Sequence, residues 1–270
     1  MPKTILITGA TDGIGLETAK LLVPLGHTVL VHGRNPEKLA DTQKLLTGMP
    51  GAGTVEIYCA DLSKIAEVSD LAAAVGDNHD RLDILINNAG VFRTSEQITS
   101  DGLDVRFAVN TIAPFLLTER LLPLMNETGR VVNLSSAAQA PVNLDALTGK
   151  ARLSDEMAAY AQSKLAITMW SREMASALGG NGPAVIAVNP GSLLASKMVK
   201  EGFGVAGSDL SIGAKILVQA ALSDDFAGAT GRYFDNDSGR FADPHPDALN
   251  QGKSAEVVRT IKSVLVESGI

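Results

Sequence analysis

The chain has 270 residues, nearly half of them apolar, and a net charge of −7. That is apolar material for a large core. The acidic balance, with no basic stripe, tells against nucleic acid and anionic membrane surfaces as partners. Cys59 is the only cysteine, so no internal disulfide and no cysteine-based metal site is expected, and a reducing, cytoplasmic setting fits.

The four histidines, His27, His32, His79 and His245, are scattered without ligand spacing. They read as structural, and no metal is expected. The first residues carry only Lys3 and lack the apolar core of a signal peptide. No apolar run approaches the roughly 20 residues of a membrane span.

The chain opens on a β-branched and apolar run, Thr4–Ile7, followed by Gly9, Gly13 and Gly15. Ile14, Thr18, Leu21, Leu22 and Leu25 then recur at helical spacing. A buried strand that turns through glycines into a helix is the start of a βαβ nucleotide-binding unit. The glycines permit a tight turn, a close approach of backbone to pyrophosphate, and close helix–strand packing. Unpaired N–H groups at the helix start would face the phosphates. Taken alone, the G-x-x-x-G-x-G spacing also suits an ordinary strand-to-helix turn.

Residues 27–32 read as a second strand, and Pro36–Thr47 as a helix with Pro36 in its first turn. Residues 55–60 form a third strand, ended by Asp61. Ile65, Val68, Leu71, Ala72 and Val75 mark the next helix. Residues 83–87 are a fourth strand running into Asn87-Asn88-Ala89-Gly90. Residues 102–125 read as one long helix, kinked at Pro114, with Pro123 near its end. Arg130–Leu134 is a fifth strand, and residues 137–153 lack periodicity.

Residues 155–178 form a long helix closed by Gly179-Gly180. A sixth strand covers 184–188, a glycine-spotted loop 189–208, a helix Leu210–Leu222 and a last strand 231–234. Residues 235–250 are polar with prolines, and 255–266 form a short amphipathic helix. This alternation predicts one α/β domain over residues 1–270. It is a Rossmann fold, a doubly wound parallel sheet of about seven strands with helices on both faces.

Four stretches carry chemistry: Thr8-Gly9-x-x-x-Gly13-x-Gly15, Asn87-Asn88-Ala89-Gly90, Tyr160-x-x-x-Lys164 and Asn189-Pro190-Gly191. In this order and context the chain resembles the short-chain dehydrogenase/reductase family, over about residues 3–196. It is most similar to the retinol-dehydrogenase-like and protochlorophyllide-reductase-like branch, through HGRN after the second strand and the long gap between Ser136 and Tyr160. Tyr160 and Lys164 lie four apart on one helix and share a face. A phenol titrates near 10, and a nearby ammonium is expected to lower it toward the working range.

The resemblance implies that Tyr160 donates the proton to a carbonyl and that Lys164 also holds the nicotinamide ribose. It selects Ser136 to orient the substrate oxygen, leaves Ser135 a structural role, and implies that Asn110 supports a proton relay through water to Lys164. For the cofactor it implies contacts from Gly9, Thr11, Asp12, Gly13, Ile14 and Gly15, and from Arg34. Asp61 reads the adenine, with Leu62 beside it. Asn88, Ala89 and Gly90 lie along the cofactor, with Asn87 or Asn88 bracing the sheet. Tyr160 and Lys164 touch it too, Pro190 and Gly191 close over the nicotinamide, and Ser196 is the candidate for the carboxamide.

The second strand ends His32-Gly33-Arg34-Asn35 without a carboxylate. An acidic residue there would bind a ribose 2′-hydroxyl and repel a 2′-phosphate, whereas Arg34 can meet the phosphate. The expected cofactor is therefore NADP(H), although Asp12 stands where NADP-preferring relatives often carry a basic residue.

The expected reaction interconverts a carbonyl and an alcohol by hydride transfer. Reduction of an activated C=C bond and a noncatalytic NADP-binding regulatory role stay open as alternatives. The substrate loops are 137–153 and 192–208, with Val91 and Phe92 beside them. Leu193, Leu194, Met198, Val199 and Phe203 point to an apolar small molecule. Gly202, Gly204 and Gly207 make the second loop easy to bend, so it is expected to order on cofactor binding. Apolar residues occur around much of 158–177, more than one buried face requires. That predicts a homo-oligomer paired through the helices at 102–125 and 155–178. Residues 235–270 read as a C-terminal extension.

Overall fold

The computed structural model describes residues 1–192, 194, 207 and 209–270. Short apolar strands alternate with helices: β1 (Thr4–Ile7), α1 (Gly13–Leu22), β2 (Thr28–Gly33), α2 (Pro36–Thr47), β3 (Val55–Cys59), α3 (Ile65–Asn78) and β4 (Ile84–Asn87). Then come α4 (Val105–Phe107), α5 (Ala113–Leu121), β5 (Arg130–Leu134), α6 (Leu144–Leu147), α7 (Glu156–Leu178), β6 (Ala184–Asn189) and α8 (Leu210–Leu222). The chain closes with β7 (Tyr233–Asp235), β8 (Arg240–Ala242), α9 (Pro246–Leu249) and α10 (Gln251–Glu267).

The strands lie in one sheet, ordered β3-β2-β1-β4-β5-β6-β7-β8. Their central members are apolar on both faces, which suits a parallel sheet covered on both sides. Leu6, Leu30, Leu85, Val131 and Val185 point into one layer, against α3, α5, α7 and α10. Ile5, Ile7, Val29, Val31, Ile86 and Val132 point into the other, against α1, α2 and α8. Strand order reverses between β1 and β4, and the crevice at their carboxyl ends is where such sheets take ligands.

The helix expected at 102–125 starts later, capped by Asp104, and is not regular. Between α4 and α5, Ala108–Ile112 form a π turn in which the Ala113 N–H reaches the Ala108 carbonyl. Pro114 has no N–H, so the Asn110 carbonyl lacks the donor four residues on that a regular helix would supply. The wider turn accommodates that loss where a sharp kink was expected.

The seven parallel strands expected are present, and among the described residues the sheet has an eighth. β8 pairs antiparallel with β7 through a turn that places Gly239 at φ +66. β7 answers to the last strand expected, but the turn, β8 and α9 lie inside the stretch that reads only as a polar tail. The last helix begins at Gln251, earlier than expected, because Asn250 caps it by accepting from the Lys253 N–H.

The apolar surplus on α7 is also explained within one chain. α7 packs against α10, α9 and the π turn as well as the sheet. Its Trp170 is fully buried, edge-on to Phe115 at 5.6 Å. The surplus therefore no longer argues for a second copy. Among the described residues no helix is long and apolar enough to cross a membrane.

Candidate active site

A cleft of about 380 Å³ runs along the carboxyl ends of the strands. One end is made by the turn from β1 to α1. Gly9 and Gly13 take φ of +65 and +56, the left-handed region glycine enters freely. A Cβ on Gly15 would collide with the Gly9 carbonyl and with Asn88 Nδ2. These glycines let the loop lie flat against the residues after β4.

Helix α1 makes its first intrahelical bond at Leu16 N–H, to the Asp12 carbonyl. The N–H groups of Ile14 and Gly15 come before it and are free to meet an anion. Asp12 takes the Gly13 N–H on its own carboxylate at 2.7 Å and so acts as the helix cap. Thr11, Arg34, Asp61 and Leu62 line the same end. Asp61 accepts from the Ser63 N–H and hydroxyl at 3.0 and 2.8 Å, which orders the turn into α3.

This geometry fits a dinucleotide: a glycine cradle that a side chain would fill, open helix N–H groups, and cationic Arg34 beside the end of β2. Gly9, Thr11, Asp12, Gly13, Ile14, Arg34, Asp61 and Leu62 line the cleft, as do Asn88, Ala89, Gly90, Tyr160, Lys164 and Pro190. Gly15 lies beneath the loop, Gly191 follows Pro190 at the rim, and Ser196 is outside the described residues, with Leu193, Met198, Val199, Phe203, Gly202 and Gly204.

The other end of the cleft is built from buried polar side chains. Lys164, 4% exposed, donates Nζ to the Leu134 carbonyl at 2.7 Å. Burial pulls its pKa down to about 8, so it remains largely cationic at neutral pH. Tyr160 lies one helical turn earlier, its ring 5.1 Å from that of Phe92 and its hydroxyl close to the Ser136 side chain. Burial raises the phenol's pKa, and the neighbouring Ser136 hydroxyl only partly opposes this. The expected lowering by Lys164 is thus not what this geometry produces. The ammonium stands 5.7 Å from the ring centroid and is tied to the Leu134 carbonyl.

Asn110 sits in the π turn, 1% exposed. Its Oδ1 accepts from the Val91 N–H at 2.8 Å, and its Nδ2 donates to the Val91 carbonyl and to Ser163 Oγ. Ser163 Oγ in turn donates to the Tyr160 carbonyl at 2.7 Å. Ser135 is the structural serine of the pair: its Oγ bonds the Lys164 carbonyl and Thr168. Both asparagines at the end of β4 brace the fold. Asn87 donates to Asn133 on β5, and Asn88 to the Thr8 and Gly9 carbonyls.

A family model described as short chain dehydrogenase matches residues 3–203. The chain belongs to the short-chain dehydrogenase family. Among curated relatives, human retinol dehydrogenase 13 is 33% identical over 253 residues, covering 86% of this chain and 76% of that one. A crystal structure of an uncharacterized protein from Mycobacterium paratuberculosis superposes with TM-score 0.80 and 28% identity, over 97% of this chain and 92% of that one. The Pseudomonas aeruginosa RhlG/NADP active-site complex superposes at 0.68, with 26% identity over 86% of this chain and 94% of that one. The family and its ligand-bound structures assign this dehydrogenase a nicotinamide cofactor.

Several residues around the dehydrogenase site escape sequence reading. His32 is 2% exposed and neutral, its pKa taken down to about 4 by burial. It accepts the Gly9 N–H on Nδ1 at 3.2 Å and donates Nε2 to the Ala60 carbonyl at 3.0 Å, tying the glycine loop to the ends of β2 and β3. Lys38 lines the cleft with Arg34. The Ser136 carbonyl is held by Tyr233 Oη at 3.1 Å and by Gln139 Nε2 at 3.0 Å. Only Lys38 carries a signal, one helical turn beyond Arg34.

Proposed function

We propose that this dehydrogenase interconverts a carbonyl and an alcohol with NADP(H), acting on an apolar small molecule, with Tyr160 handling the proton. The observation that carries the reading is the placing of Tyr160 and Ser136 next to each other beside buried Lys164. A protein that only held a nucleotide would have no use for that pair. When bound, the nicotinamide supplies or accepts the hydride.

The chain's own groups do the rest. Ser136 holds the substrate oxygen next to Tyr160. The phenol, which burial keeps protonated, gives its proton to that oxygen as negative charge develops there. Lys164 supplies a positive charge beneath the ring, and the Asn110 main-chain carbonyl, to which Pro114 can donate nothing, offers an acceptor for a water on the way to Lys164. Arg34 and Lys38 favour a 2′-phosphate at the other end, with Asp12 opposing them. Retinol, named in the human relative, is an apolar alcohol of the class proposed.

The test is consumption of NADPH and of NADH against a panel of aldehydes and ketones that includes retinal. NADPH-dependent turnover of apolar carbonyls is expected. Tight NADPH binding with no turnover on any carbonyl would remove the catalytic reading, and a preference for NADH would remove the cofactor assignment.

A further inference from the structure

The Asn189-Pro190-Gly191 motif at the reaction end of the cleft does not say what holds that wall in place. Strand β6 ends at Asn189, and the chain continues through Pro190, a cleft residue, to Gly191 and Ser192. Gly191 has φ +122, a conformation that side-chain-bearing residues rarely adopt. The partners that hold this segment come from the tip of the β7–β8 hairpin.

Asn189, 2% exposed, donates Nδ2 to Asp235 at 2.8 Å and to Asp237 at 2.9 Å. Its Oδ1 accepts the Gly191 N–H at 3.3 Å. Asn236 donates Nδ2 to the Pro190 carbonyl at 2.8 Å. Asp237 takes both the Ser192 N–H, at 2.8 Å, and the Ser192 hydroxyl, at 2.5 Å. Burial pushes the Asp237 carboxyl up, but the bonds from Ser192 and Asn189 outweigh it and leave the group below its ordinary range. It is therefore a charged acceptor at neutral pH, and charge-assisted bonds are the stronger kind.

Strands β1 to β7 already form a continuous parallel sheet, so β8, with the turn that leads to it, is an addition at its edge. Its turn is not free in solvent but is bonded to the rim of the cleft beside Pro190. Asn236 and Asp237 reach residues 189–192, whereas Arg34 and Asp61 stand at the other end of the cleft. A bound dinucleotide that presents its reactive ring to Tyr160 must lay that half against Pro190, and its adenosine half at the far end.

We propose that Asn236 and Asp237 are positioning residues, the hairpin tip fixing residues 190–192 as the wall that holds the nicotinamide half of the cofactor. This rests on the cofactor reading above. It gives the first part of the C-terminal extension a definite task, namely to act on one half of the ligand and not the other.

The test compares two ligands on the full chain, NADPH and 2′,5′-ADP, which lacks the nicotinamide half. Dissociation constants are measured for wild type, Asp237→Ala, Asp237→Asn and Asn236→Ala. Asp237→Ala should weaken NADPH at least tenfold and change 2′,5′-ADP less than twofold. Asp237→Asn, which keeps one acceptor oxygen, should fall between wild type and the alanine variant. Hydrogen exchange without nucleotide should show the Gly191 and Ser192 amides of Asp237→Ala exchanging faster, with the amides of β5 and β6 unchanged.

Unchanged NADPH affinity, or equal weakening of both ligands, overturns the proposal. So does unchanged exchange at Gly191 and Ser192. A wild type that binds neither ligand overturns the cofactor reading itself, and the positioning role falls with it.

Discussion

The two ends of the cleft are built in opposite ways. At the glycine end the groups that face a ligand are main-chain N–H groups and exposed side chains, with Asp12, Arg34 and Lys38 all on the surface. At the reaction end Tyr160, Lys164 and Ser135 face the cleft and are held by buried side chains, Asn110 through Ser163 to the Tyr160 turn and Thr168 to Ser135. Exchanging an exposed side chain removes only the interaction that it makes itself. Exchanging a buried one leaves its partners unsatisfied, at about 1–3 kcal/mol each. The glycine end is thus where cofactor preference can be tuned, and the reaction end is where change is tolerated least.

The strongest way to break this contrast is Tyr160→Phe. It removes the proton donor and leaves the ring packing against Phe92. Turnover should fall about 10²- to 10⁴-fold while NADPH affinity stays within about twofold. Steady-state rates paired with a binding titration check it, and turnover within a fewfold of wild type would contradict the assignment.

His32 is the buried exception at the exposed end, and pH probes it. Above about 6.5 it is neutral in the folded and unfolded chains and contributes nothing to the pH dependence. As pH falls from 6.5 toward about 4, the unfolded chain takes up a proton that the folded one refuses. Stability should therefore drop across that window by about 3 kcal/mol in total. Denaturant titrations at pH 7, 5.5 and 4 on wild type and His32→Gln measure it, and the variant should lose this part of the slope. Equal slopes would refute the brace.

Arg34→Ala should lower the ratio of kcat/KM for NADPH over NADH about ten- to a hundredfold, with rates at saturating NADH unchanged. A constant ratio would move the choice of cofactor to Lys38 or elsewhere. The smallest expected effect is Asp12→Asn. The amide oxygen can still accept the Gly13 N–H and cap α1, but the negative charge is gone. NADPH should bind about two- to fivefold more tightly, with little change in melting temperature.

What the sequence reveals follows the same division. The glycine loop and the Tyr160–Lys164 pair are legible because their spacing is fixed within one turn or one helix. Helices Pro36–Thr47 and Leu210–Leu222 are read to the residue, the first because Asn35 and Pro36 mark its start by their own chemistry. The π turn is not legible, since Pro114 says that a bond is lost but not how the helix absorbs it. Strand β8 is missed because three residues amid polar neighbours carry no alternation. His32 reads as one scattered histidine; its partners, Gly9 and Ala60, meet it only once β1, β2 and β3 stand side by side. The bonds from Asp237 to Asn189 and Ser192 span more than 40 residues of sequence, and nothing local announces them.

The sole thiol has a practical side. Cys59 is exposed at the end of edge strand β3, and Ala60, Asp61 and Leu62 pass directly from it into the cleft lining. A maleimide dye therefore has one attachment point, one residue from the wall proposed to receive adenosine, with no engineered cysteine required. Its emission would serve as an occupancy gauge. Because Tyr160, Ser136 and the hairpin tip stand at the opposite end, the reporter and the chemistry it reports on occupy separate ground.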